Sequence, residues 1–184
     1  MIKNMNSLPY IVAGTIFCAL FSACATAPKT ATGKAEIVEE SSHALSKAKR
    51  EDDSLGRVLS QAVGYAVFPS VGKGGLGIGG AYGKGVLFQN GAAVGYCDLT
   101  QVSIGFQFGG QAYTEIIVFA SRQALDSFKS GNFTFNAQAT AVAIKSGAGA
   151  NAKFLDDVAV FTMNETGLMY EAAIGGQKFS YQAR

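Results

Sequence analysis

The sequence predicts an α+β fold in which short N-terminal helices pack on a twisted antiparallel sheet that curls into a barrel or a sandwich. Three observations lead to this prediction. Residues 35–53 contain many helix formers and neither Gly nor Pro, whereas beyond Gly64 short extended runs alternate with turn residues. The dipeptide Asn90-Gly91, which separates two apolar runs, is a strong signal for a hairpin between antiparallel strands.

The composition fits one folded domain and excludes several other classes. Of the 184 residues, 48% are hydrophobic and the net charge is +2, so the chain is neither a disordered protein nor one that binds nucleic acid through bulk charge. It has 23 Gly but only 3 Pro and no triplet glycine period, which excludes a collagen-like fold. The glycine excess therefore needs another explanation.

The first residues have the layout of a bacterial export signal. Lys3 precedes the apolar run LPYIVAGTIFCALF (residues 8–21), and two small residues then lead to Cys24, as in a lipobox. The run is shorter than the roughly 20 residues that span a bilayer. We therefore predict a signal peptide over residues 1–23 and acylation of Cys24, with plain secretion or an uncleaved anchor as the alternatives.

The segment after the signal divides into a tether and two helices. Residues 24–34 comprise the lipidated Cys and a small, polar stretch that predicts a flexible tether, and residues 35–184 form the domain. The first helix covers about residues 35–53, with glutamates early and basic residues late, which suits the helix dipole. Ser54 is predicted to cap a second, short helix that ends near Val63.

The rest of the domain is predicted to be mainly strands. A short helix over residues 121–129 interrupts them, ends at Gly131 and places Leu125 and Phe128 toward the core. The extended runs cover residues 64–68, 84–89, 92–97, 100–108, 112–120, 133–144, 157–163, 168–174 and 177–182.

A glycine cluster follows the first run and overlaps the start of the second. Eight of the 23 Gly fall in GKGGLGIGGAYGKG, residues 72–85, which contains two overlapping G-x-G-x-x-G matches. Because a strand pattern and not a helix follows, a dinucleotide site is disfavoured, and no Walker loop spacing is present. We predict a strand that other backbone approaches closely, with a lipid phosphate held by glycine amides and Lys73 or Lys84 as the alternative.

No constellation for catalysis or metal binding is evident in the sequence. The single His43 is expected to be a solvated helix residue, and one His does not make a zinc site. Cys97 ends an apolar strand and is expected to be a buried thiol. Glu115 lies among apolar neighbours; burial would raise its pKa, but we expect the strand alternation to point it outward. The sequence therefore predicts no enzyme, no metal and no cofactor.

Four ordered blocks resemble the SYLF domain family. They are GYAVFPSVGKGGLGIGGAYGKG, LTQVSIGFQFGGQAYTEIIVF, ALDSFKSGNFTFNAQATAVAI and GLMYEAAIGGQKFSY, and the resemblance runs from about residue 36 to Tyr181. It implies a domain without catalysis or cofactor. Eukaryotic members bind phosphoinositide membranes through an N-terminal amphipathic helix and in some cases bind actin, a partner we do not expect after a bacterial export signal. Bacterial relatives are commonly secreted proteins or lipid-binding lipoproteins.

Together these features predict a lipid-anchored protein of the bacterial envelope, on the outer membrane and facing the periplasm, whose domain binds phospholipid membranes. The candidate headgroup-binding residues are Lys47, Lys49, Arg50, Lys73 and Lys84. Carried onto this chain, the family's membrane helix corresponds to about residues 34–50, which also holds three glutamates and lacks a large apolar face. The alternative is a structural or protein-interaction module that supports the integrity of the envelope, either as a self-associating protein or by binding another protein. Neither a protein partner nor an oligomeric state is predicted.

Overall fold

The computed structural model describes residues 27–105, 111–131, 133–135, 140–164 and 172–184. The predicted signal peptide and Cys24 lie outside these residues. The helices are α1 (Ala31–Glu51), α2 (Leu55–Gln61) and α3 (Arg122–Lys129). The strands are β1 (Gly64–Gln89), β2 (Ala92–Gly105), β3 (Gln111–Phe119), β4 (Thr140–Ala143), β5 (Val158–Asn164), β6 (Ala172–Ala173) and β7 (Lys178–Ala183).

The two N-terminal helices begin differently from what the sequence predicts. α1 starts at Ala31, inside the segment predicted as a tether, because the side chain of Thr30 accepts a hydrogen bond from the Gly33 amide and caps the helix. At 21 residues α1 is not short. Ser54 stands just before α2 but makes no capping hydrogen bond, because its hydroxyl donates to Asp52 and its oxygen accepts from the Ala150 amide instead.

The described strands form one seven-stranded sheet in the order β6-β4-β5-β3-β1-β2-β7. Its neighbours pair antiparallel except β4 and β5, which are parallel. The chain between β4 and β5 carries a short 3-10 turn, Gly149–Asn151, and returns β5 beside β4 in the same direction. The α+β class is therefore confirmed, but the sheet is mixed, and it is not closed into a barrel.

β1 is much longer than the predicted run, which stopped at Pro69. The strand continues because Pro69 lies at a register irregularity between Phe68 and Val71, where a missing N–H is tolerated. The second half of β1 packs against the first: a Cβ on Gly85 would lie 2.5 Å from the Val67 carbonyl oxygen. The glycine cluster thus permits close approach of backbone, and the strand ends in the predicted Asn90-Gly91 hairpin, where both residues have positive φ.

Both faces of the sheet are covered. α1 and α2 pack on one face, where β3 contributes Ile116 and Val118 to the core. On the other face α3 packs with Leu125 and Phe128 buried, as predicted, and Ser121 caps the helix by accepting from the Ala124 amide. A β3 side chain is therefore buried whichever face it points to.

Among the helices that the structure describes, none combines the length and the hydropathy that a membrane-spanning helix requires.

Candidate functional site

The C-terminal end of α1 carries three of the five predicted headgroup-binding residues. Lys47, Lys49 and Arg50 are all exposed, because the buried stripe of the helix ends at Ala48 and faces the sheet. This end of α1 is also where the partial negative charge of the helix dipole lies, so cations there are stabilised. The structure therefore presents these three cations to solvent within one turn of helix.

The other half of α1 has the opposite charge. Glu36, Glu39 and Glu40 line an open groove of about 620 Å³ between α1 and the sheet, together with His43 and Lys47. Pro69, Ser70, Ala44, Thr114 and Met163 complete its lining. A membrane with anionic headgroups would be repelled by this half of the helix and attracted by its basic end.

Lys73 and Lys84 lie in different parts of β1 and not at the basic end of α1. Lys73 is half-buried opposite Gln111 on β3. Lys84 lies opposite Asp98 on β2, and its Nζ is 3.2 Å from a carboxylate oxygen of Asp98. Burial alone would lower the pKa of Lys84, but its interactions with Tyr82 and Asp98 outweigh burial and raise the pKa above its ordinary value. Lys84 is thus engaged with an internal carboxylate.

A buried aspartate holds the basic end of α1 in place. The Asp52 carboxylate accepts hydrogen bonds from the amide and the hydroxyl of Ser54, at 3.0 and 2.6 Å. It also accepts from the amides of Gly147 (3.1 Å) and Gly149. Burial alone would raise the pKa of Asp52, but these hydrogen bonds together hold it below its ordinary value. One carboxylate therefore fixes the end of α1, the start of α2 and the loop before β5 to one another.

Sequence reasoning missed Asp52. Its local signal is the Asp-x-Ser spacing of Asp52 and Ser54, which is typical of a side chain that accepts from the backbone two residues on. The loop glycines that donate to it lie 95 and 97 residues away in the chain, so no local pattern identifies them.

Glu115 is buried, which corrects the expectation that it points outward. It has no exposed surface, and Nε2 of Gln177 donates to its Oε2 at 3.0 Å. Tyr113, on the same strand, interacts electrostatically with Glu115, but neither its hydroxyl nor Oε1 of Glu115 makes a hydrogen bond of good geometry. Burial raises the pKa of Glu115 to about 7, although Gln177, Lys73 and Tyr113 act to lower it.

The remaining candidate groups have structural surroundings. His43 is exposed on α1, as expected, and Cys97 is buried, where burial raises the pKa of its thiol above the ordinary value. Across the ranges that the structure describes, no group of three His, Cys, Asp or Glu side chains is arranged to hold a metal ion.

The described residues thus form an α+β domain whose first helix ends in exposed cations and whose buried Asp52 joins separate segments. Comparison with known proteins gives the family. Residues 100–183 match the model of the Ysc84 family, described as "Las17-binding protein actin regulator". This match, over a little under half of the chain, confirms the resemblance to the SYLF family seen in the sequence. The Ysc84 family is not a known enzyme family, and the match favours a binding module.

One curated relative is Beta cell expansion factor A of Aeromonas veronii. It is 28% identical to this chain over 154 residues, which cover 83% of this chain and 59% of the relative. The chain thus spans about three fifths of the length of that relative.

Proposed function

We propose that this protein is a lipid-anchored component of the bacterial envelope whose SYLF domain binds phospholipid membranes without catalysis. The observation that carries the proposal is the exposed basic end of α1, Lys47, Lys49 and Arg50. Near an anionic lipid surface each such cation contributes roughly 1 kcal/mol to binding. Acylation at Cys24 would place the domain on the outer membrane, facing the periplasm, where these cations reach headgroups.

The rigidity of the site supports this role. Because Asp52 fixes the end of α1 to α2 and to a distant loop, the backbone that carries the three cations is ordered before it meets a membrane. A preordered site loses less conformational entropy on binding than a flexible segment does.

Co-sedimentation with lipid vesicles tests the proposal. A chain of residues 25–184 contains all three described helices, the seven described strands and both described core clusters, so we expect it to fold. We expect it to pellet with vesicles that contain an anionic phospholipid, and to pellet less as salt screens the charges. Equal and negligible binding to anionic and zwitterionic vesicles would overturn the proposal.

Charge variants locate the contact. Lys47→Ala/Lys49→Ala/Arg50→Ala should weaken binding to anionic vesicles by about 100-fold. The matched control neutralises three exposed cations elsewhere, Lys29→Ala/Lys178→Ala/Arg184→Ala, and should bind as the unmodified domain does. A loss confined to Lys73→Ala/Lys84→Ala would instead place the headgroup contact at β1.

A protein-interaction module is the second candidate. The position of β7 favours it: β7 is the last strand in the order of the described sheet, and an isolated bridge joins its Lys178 to Thr134. An open strand edge is a template for pairing with another chain. The description of the family also names a protein partner. Light scattering of residues 25–184 over a range of concentrations tests self-association, and a concentration-independent monomer would count against it.

A further inference from the structure

Two of the large apolar side chains exposed on the described surface are consecutive. Phe154 is 44% exposed and Leu155 is 58% exposed, and they lie side by side in the loop before β5. Lys153, which precedes them, is also exposed. The two neighbours form one small apolar projection with a lysine beside it, smaller than a patch that by itself marks a protein interface.

The backbone holds this pair in a fixed position. The amide of Leu155 donates to the Val158 carbonyl at 2.9 Å, and the Val158 amide donates back to Leu155 at 3.0 Å. Between them Asp156 and Asp157 both have positive φ, as in a tight type I′ turn, and the Asp157 carbonyl accepts from the Ala120 amide at 2.8 Å. The apolar pair is thus presented by a closed turn and not by a loose loop.

Hydrogen bonds connect the loop that carries the pair to the residue that follows the basic end of α1. Asp52, directly after that helix, bonds to the amides of Gly147 and Gly149, a few residues before Phe154. Phe154 shares the lining of a small cavity, about 370 Å³, with residues of α2. Exposed cations on these connected segments are Lys49, Arg50, Arg57, Lys145 and Lys153, against the exposed acids Glu51, Asp53, Asp156 and Asp157.

The chemistry of this surface fits a bilayer better than a protein. Stable protein interfaces bury about 800 Å² on each partner, far more than two partly exposed side chains provide. A small apolar projection beside lysines suits the boundary between headgroups and acyl chains, since a lysine stem can lie along apolar surface while its charge stays in water. Phe154 and Leu155 carry no charge, so their contribution to membrane binding is apolar and should not change with salt.

We propose that the Phe154-Leu155 turn inserts into the phospholipid bilayer when the basic end of α1 meets the headgroups. This inference rests on the proposed function and adds to it a second, apolar contact that the charged residues do not provide. The turn acts as a wedge, and the exposed carboxylates of Asp156 and Asp157 remain at the level of the headgroups.

Tryptophan fluorescence tests the insertion, because the chain has no Trp of its own. Residues 25–184 carrying Phe154→Trp are mixed with vesicles of phosphatidylcholine and phosphatidylglycerol, and pelleting is measured on the same samples. We expect the emission to move to shorter wavelength and to be quenched by brominated acyl chains. Val102→Trp is the matched control: Val102 is 79% exposed on β2, opposite Gly80 and far along the ladder from the hairpin, and its emission should not change.

Leu155→Ser provides a second measurement that does not depend on a new aromatic residue. Because Leu155 is more than half exposed, the substitution spares the core. It should weaken vesicle binding by about tenfold at both low and high salt, whereas Val102→Ser should not. Pelleting of the Phe154→Trp domain without a shift in its emission, or pelleting of Leu155→Ser without a loss of affinity, would overturn the insertion and leave the proposed function intact. Failure of the unmodified domain to pellet would overturn both.

Discussion

Asp52 and Glu115 are both buried carboxylates, yet their surroundings are opposite. Asp52 is 2% exposed and accepts four hydrogen bonds, three of them from backbone amides. Glu115 has no exposed surface and accepts one hydrogen bond of good geometry, from Gln177. The pKa of Asp52 lies below its ordinary value, whereas that of Glu115 is raised to about 7.

The comparison shows that burial alone does not decide what a carboxylate does. Hydrogen bonds from amides offset the loss of water around Asp52, so its negative charge stabilises the fold and joins three segments. Around Glu115 one amide donor does not offset that loss, so the folded state favours the protonated, neutral acid. Asp52 is therefore a charged group that connects three segments of the fold, and Glu115 is a group whose contribution to stability depends on pH.

Removing the Asp52 side chain should have the largest effect. Asp52→Ala leaves the amides of Gly147 and Gly149 without their acceptor, and we expect a loss of about 4 kcal/mol in the free energy of unfolding at pH 7. Thermal unfolding should shift down by roughly 10 °C. Because the folded pKa is lowered, this stabilisation is present above about pH 4 and is lost as the pH falls through the folded pKa. The deficit of the variant should therefore shrink in acid.

The exposed neighbour Asp53 supplies the control for this prediction. Asp53→Ala changes the same charge without a buried partner, and should alter stability by less than about 0.5 kcal/mol. Equal unfolding temperatures for the two variants would show that Asp52 does not stabilise the fold by connecting these segments.

The next largest effect is expected from Glu115→Gln. The folded pKa of about 7 lies above the ordinary 4.5, so the folded state binds the extra proton and stability falls as the pH rises between these values. The total is about 3 kcal/mol. Glu115→Gln removes this dependence, so the variant should match the unmodified domain near pH 4.5 and exceed it at pH 8.

Denaturant unfolding at pH 5, 6, 7 and 8 measures this effect. Glu39→Gln, which changes an exposed carboxylate on α1, serves as the matched control and should keep the original pH dependence. A parallel pH profile for Glu115→Gln and the unmodified domain would contradict the prediction.

The contrast between Asp52 and Glu115 also explains which structural features can be predicted from the sequence and which cannot. Local signals predicted α3, through its end at Gly131 and the spacing of Leu125 and Phe128, and the hairpin at Asn90-Gly91. The outward prediction for Glu115 was wrong because alternation assumes one face in water, whereas helices and strands cover both faces of this sheet. Hydrogen-bond partners that are distant in the chain, such as Gly147 and Gly149 for Asp52, cannot be predicted from the local residue pattern.

In the candidate site, too, some features can be predicted from the local sequence and others cannot. Exposure of Lys47, Lys49 and Arg50 follows from the apolar stripe of one helix. Counting outward from the hairpin pairs Lys84 with Cys97, but the irregularity between Leu87 and Phe88 shifts the ladder by one residue and brings Asp98 opposite Lys84. The ion pair that engages Lys84 thus depends on a bulge that the residue pattern does not mark.

The smallest of the three effects on stability is expected from Gln177→Leu. This variant also tests most directly whether a hydrogen bond to Glu115 acts on the charge of that carboxylate. Its amide lowers the pKa of Glu115 by donating to the carboxylate, so its loss should cost about 2 kcal/mol at pH 8 and less at pH 5, where Glu115 is neutral. Gln101→Leu is the matched control, because Gln101 is also buried but its Nε2 donates to the neutral Gly175 carbonyl at 2.9 Å. Its penalty should not change with pH. If the penalty of Gln177→Leu is equally constant, then Gln177 packs the core without acting on the charge of Glu115.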